Sequence, residues 1–117
     1  MKNILEIQKH KAVVSYDPEI GMFRGEFLGL SGGADFYGAS IRDLNKEGQK
    51  SLEIYLKLCQ EKGIEPYKSF SGRFNVRLSP EMHEAATLSA AAQNKSLNDW
   101  VSDALRDALV DEDLLEA

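Results

Sequence analysis

Arg73-Phe74-Asn75-Val76-Arg77-Leu78 alternates polar and apolar residues without a break, and helical signals alone follow it. Period two is the pattern of a half-buried strand. Ser79-Pro80-Glu81 then supplies an N-cap, a proline at the first helical position and an acid suited to the helix dipole. Met82, Ala85, Ala86, Leu88 and Ala92 carry that helix to about Gln93, where Asn94-Lys95 breaks it. Ser96 and Asp99 form a capping box, and Leu97, Trp100, Val101, Ala104, Leu105, Ala108 and Leu109 recur at helical spacing behind it.

A single strand ahead of two helices can neither bury its apolar face nor satisfy its edges. Pairing the strands of two copies antiparallel solves both problems. It predicts a homodimer whose core takes Phe74, Val76 and Leu78 from the ribbon and Trp100, Val101 and Leu105 from the last helix. The opposite face of the ribbon then presents Arg73, Asn75 and Arg77 twice. A two-stranded ribbon fits the DNA major groove, where Arg bridges guanine O6 and N7 and Asn bridges adenine N6 and N7, so these three are the expected base readers. Lys95, Ser96 and Asn98, at the start of the last helix, are the expected phosphate contacts, because free backbone N–H groups and the positive dipole end meet there. Each of these residues alone reads more simply as a solvated strand face or an ordinary cap. Their coincidence in order and length favours a ribbon-helix-helix that binds DNA.

The formal charge of −5 excludes a generic nucleic-acid coat, so any DNA contact has to come from local placement. Up to Ser71 the chain carries ten basic and ten acidic residues, and after it four basic and nine acidic. Asp111, Glu112, Asp113 and Glu116 belong to an acidic tail over 111–117, whereas Arg73, Arg77 and Lys95 stand where the motif needs cations.

Ahead of the ribbon, Lys11 to Tyr16 reads as a strand that ends at the turn residues Asp17-Pro18-Glu19-Ile20-Gly21. Phe23, Gly25 and Phe27 alternate with Arg24 and Glu26 in a returning strand, and a short third strand spans Ala34 to Tyr37 after a glycine-rich loop. Ser40 and Asp43 make a capping box, and Ile41, Leu44, Gly48, Leu52, Tyr55, Leu56 and Cys59 predict a helix from Ile41 to Lys62, stopped by Gly63. The fold class is therefore α+β. A β-β-β-α domain over 1–63 leads through a linker at 64–72, whose Tyr67 and Phe70 are able to dock onto that domain, into the ribbon-helix-helix at 73–110.

No catalytic residue, metal or cofactor is expected. His10 and His83 lack a second ligand at metal spacing, and Cys59 falls on an apolar helix face. Asp17, Glu19, Glu26, Asp35 and Asp43, from which a nuclease site would be built, fall at turns, a strand face and a helix cap. The N-terminus lacks a signal-peptide core and no stretch approaches the roughly 20 apolar residues of a membrane span, so the expected location is the cytoplasm. With 43% hydrophobic and 28% charged residues, the chain should be ordered nearly throughout.

From about Lys11 to Leu109 the sequence resembles the HicB antitoxins of bacterial toxin-antitoxin pairs. The resemblance runs through Val13-Val14-Ser15-Tyr16-Asp17-Pro18-Glu19, Phe23-Arg24-Gly25-Glu26, Leu28-Gly29-Leu30 and Phe36-Tyr37-Gly38-Ala39-Ser40. It continues through Tyr55-Leu56, Gly63-Ile64-Glu65-Pro66, Ser71-Gly72-Arg73-Phe74 and Lys95-Ser96-Leu97-Asn98-Asp99-Trp100. It implies an N-terminal domain similar to a partial RNase H fold without its catalytic carboxylates, which binds a HicA-like ribonuclease toxin. It also implies a C-terminal domain that binds operator DNA of its own operon, with dimers able to associate further. The competing expectation is a stand-alone ribbon-helix-helix repressor whose N-terminal domain senses a small ligand.

Overall fold

The computed structural model describes residues 3–117. It is an α+β structure, a four-stranded antiparallel sheet followed by three helices, and it divides between Ser71 and Gly72 into two compact units.

In the first unit the strands β1 (Ile4–Ile7), β2 (His10–Asp17), β3 (Met22–Phe27) and β4 (Asp35–Gly38) lie in sequential order. The sequence predicts three strands here and the structure has four. The additional strand is β1, joined to β2 by a two-residue hairpin turn in which Ile7 pairs with His10. Gln8 and Lys9 both take positive φ, 49° and 67°, as a type I′ turn requires, yet neither is the Asn or Gly that normally announces one. The next turn is conventional. The Asp17 side chain accepts the Glu19 N–H at 3.0 Å, and Gly21, at φ 65°, donates its N–H to the Asp17 carbonyl at 2.9 Å.

Helix α1 (Ile41–Lys62) packs on one face of the sheet. Ser40 accepts the Asp43 N–H at its start, and Gly63 ends it in the left-handed region at φ 67°. The helix delivers Leu44 and Leu52 into a core with Ile7, Ala12, Phe27 and Phe36. Both leucines are fully buried, a contribution of about 1.5–3 kcal/mol each. Gly48 lets the helix approach this closely: a Cβ there would strike Ile7 and the Phe36 ring. Cys59 lies buried on the same helix.

Residues following α1 are tied back to this unit. The Tyr55 hydroxyl donates to the Pro66 carbonyl at 3.0 Å and accepts the Gly32 N–H at 2.9 Å. The Ser31 N–H also donates to Pro66, and the Lys68 N–H donates to Gly29, so Leu30 and Tyr67 form an isolated bridge. Tyr67 stacks on the His10 ring at 5.6 Å, whereas Phe70 is 80% exposed. Of the two aromatics able to dock, Tyr67 does.

The second unit holds α2 (Pro80–Ala92) and α3 (Leu97–Asp111). Ser79 caps α2 through the Met82 N–H and Ser96 caps α3 through the Asp99 N–H. Asn94 breaks the helices apart with a left-handed φ of 57°. The strand expected over Arg73–Leu78 has no ladder in the single chain. A strand exists by hydrogen bonding to a neighbouring strand, and among the described residues of this unit there is no other strand.

Candidate dimer and nucleic-acid interface

Phe74, Val76 and Leu78 remain 72%, 58% and 41% exposed. They line a groove of about 840 Å³ together with Leu97, Val101 and Leu105. The three α3 residues recur every fourth position and so form one stripe. Helix α3 has no buried residue, and α2 buries only Ala86 and Ala90. Of the six residues expected in a dimer core, five line this groove and Trp100 does not. Its position on α3 is a hundred degrees from Val101, and its indole N–H donates to the Ser89 hydroxyl on α2 at 2.9 Å, inside the same chain. The sequence signals the apolar spacing but not this bond. It also gives no sign that His83 and Ser102 join the groove lining.

The base-reading candidates are not segregated from the apolar ones in the single chain. Arg73 and Asn75 line the groove beside Phe74 and Val76, and Arg77 does not. All three are exposed. Segregation onto two faces requires a flat two-stranded ribbon, which one copy cannot form.

The phosphate candidates lie together at the α2–α3 break. Ser96 uses its hydroxyl as the cap, accepting the Asp99 N–H at 3.0 Å, and Asn98 is exposed in the first turn. Lys95 is already engaged. Its backbone N–H donates to Ala90 at 2.9 Å, and its ammonium donates to Asp103 at 2.7 Å.

On the sheet unit, the face away from α1 carries Arg24, which is clasped by Asp35 and also approached by Glu26 at 3.6 Å. Hydrogen bonding to Asp35 and then Tyr37 holds the guanidinium pKa above its ordinary value. Across β1 and β2, Lys11 donates to Glu6 at 2.8 Å, and this hydrogen bond holds the Glu6 carboxyl below its ordinary range. The five carboxylates from which a nuclease site would be built are divided among three places: Asp17 and Glu19 share a turn, Asp35 and Glu26 face Arg24, and Asp43 sits in the first turn of α1. Among the described residues, no group of three or more His, Cys, Asp or Glu side chains is placed to hold a metal ion, and no helix is long and apolar enough to cross a membrane.

No curated protein and no solved structure matches the chain. A protein-family model described as HicB family does match, over residues 55–105, from the second half of α1 through the alternating segment at 73–78 and α2 into α3. Over this stretch, 51 of the 117 residues, the chain is similar to that family.

Proposed function

We propose that the chain is an antitoxin of a HicA/HicB-type pair, which neutralises a ribonuclease toxin by direct binding and represses its own operon through operator DNA. The observation that carries the reading is the state of residues 73–78: a segment of alternating pattern inside the family match, assigned to no strand of the sheet, with its apolar side chains Phe74, Val76 and Leu78 exposed over a groove on α3. A second copy completes it. The two segments pair as a ribbon, Phe74, Val76 and Leu78 go down into a shared core, and Arg73, Asn75 and Arg77 come up as base readers, with Lys95, Ser96 and Asn98 at the phosphates. The sheet unit serves as the toxin-binding domain. Its mixed-charge face around Arg24 would help to exclude wrong partners, since like charges opposed across an interface are costly.

Two measurements test the two halves of this reading. Co-expression with the small protein encoded beside this gene should restore growth and give a complex that co-purifies; a harmless neighbour or no association removes the antitoxin half. For the repressor half, Arg77→Ala and Asn75→Ala should each weaken binding to the DNA upstream of the gene by about 1–3 kcal/mol and relax base preference. Unchanged affinity in both would remove the ribbon from the DNA interface.

A further inference from the structure

Lys95 has an acidic partner two helical turns away in the sequence. Its ammonium is 2.7 Å from the Asp103 carboxylate, and its backbone is fixed by the hydrogen bond to Ala90 and by its place between the left-handed Asn94 and the cap Ser96. The side chain can therefore turn to a new anion while the main chain stays where it is. Asp103 is one of four aspartates, with Asp99, Asp107 and Asp111, that recur every fourth residue along α3. The cations of this unit other than Arg106 lie at 73, 77 and 95, before the first of them. A phosphate that approaches Lys95 meets a cation whose charge is already met.

We propose that Asp103 is an internal competitor for the DNA phosphate that Lys95 takes, so that it lowers the affinity of this chain for DNA and flattens its salt dependence. The inference rests on the DNA-binding reading above. When a lysine surrounded by salt binds a phosphate, condensed counterions are released and binding weakens steeply with added salt. A lysine that leaves an aspartate for the phosphate strips the aspartate of its partner, and a cation from solution must replace it. Net counterion release falls accordingly. An exposed pair of this kind contributes only modestly, which suits a trimming role: it tunes a grip set elsewhere by the ribbon.

The contact is independent of base sequence, so a short mixed-sequence DNA duplex serves as the probe for the full-length protein. Asp103→Asn should bind about twofold to tenfold more tightly at low salt, with a plot of log affinity against log salt steeper by roughly 0.9 for each Lys95 engaged. In a Lys95→Ala background the same substitution should change neither quantity. Asp107→Asn, which removes the same charge one turn further along α3, should leave the slope unchanged. A wild-type protein that binds the duplex and is not exceeded by Asp103→Asn overturns the proposal, as does a gain that survives in Lys95→Ala, which would show general charge repulsion instead of competition. If neither wild type nor any variant binds DNA, the DNA-binding reading fails and this inference falls with it, an outcome distinct from the other two.

Discussion

The two units bury their apolar residues to very different degrees. The sheet unit closes its own core, with Ile7, Leu44 and Leu52 almost wholly out of water and α1 laid across the strands. The second unit buries two alanines and leaves Phe74, Val76, Leu78, Met82, Leu88 and Leu105 exposed. Both belong to one chain of ordinary composition, so the difference is one of completeness. The first unit is finished by intrachain contacts, whereas the second has hydrophobic patterning that its own residues cannot satisfy. Large exposed apolar surface of this kind marks an interaction site.

Val76→Asp should have the largest effect. If a second copy covers the groove, the carboxylate is carried twice into an apolar interface with no partner, and the dimer should be lost altogether. Sedimentation should report monomers, while melting of the sheet unit stays unchanged. A variant that sediments like the wild type would mean that the groove is not the interface. The converse substitution is Leu52→Ala, which should cost the sheet unit about 2–5 kcal/mol in a denaturant titration and leave the association constant alone. Loss of dimer in Leu52→Ala would show that the two units are not independent in stability.

Trp100 sharpens the boundary between what one chain completes and what two complete. Its ring is part-buried against α2 through Ser89, so Trp100→Phe, which keeps most of the apolar area and removes the donor, should cost roughly 0.5–1.5 kcal/mol per chain. The effect should appear in the unfolding of the second unit and not in its dimer dissociation. A change confined to dissociation would move Trp100 into the interface.

How far these features were legible in the sequence follows from how locally each is encoded. Helix α1 is bounded by Ser40 and Gly63, whose chemistry acts within a few residues, and its limits match the structure. The caps Ser79 and Ser96 are equally local. Strand β1 was not legible, since four residues are too few to show a period and the Gln8-Lys9 turn adopts left-handed backbone without the residues that favour it. Tyr55 reads as one more apolar helix position, yet its hydroxyl joins the 31–32 loop to Pro66, and no spacing rule anticipates a bond between residues 23 apart. For the candidate site, the alternation at 73–78 and the Leu97, Val101 and Leu105 stripe were visible because they are periodic. The Lys95–Asp103 pair and the Trp100–Ser89 bond were not, because each depends on which of several nearby side chains wins a partner.

The smallest expected effect lies at the edge of the completed unit. Glu6 and Lys11 are cross-strand neighbours in the β1–β2 register and their side chains pair at 2.8 Å. The hydrogen bond from Lys11, followed by its charge, lowers the Glu6 pKa from its ordinary value of 4.5. A carboxyl depressed on folding stabilises the native state above its unfolded pKa, and the contribution disappears as pH falls through the folded value. Wild type should therefore lose a small increment of stability on acidification through and below pH 4.5 that Glu6→Gln lacks, because the amide cannot titrate. Other carboxylates titrate in the same window, so the informative quantity is the difference between the two proteins at each pH. The pair is exposed on both sides, and salt should shrink that difference. A difference that is flat across the window would show that Lys11 leaves Glu6 for water, and that β1, the strand with the weakest sequence signal, is held by its ladder and by Ile7 in the core.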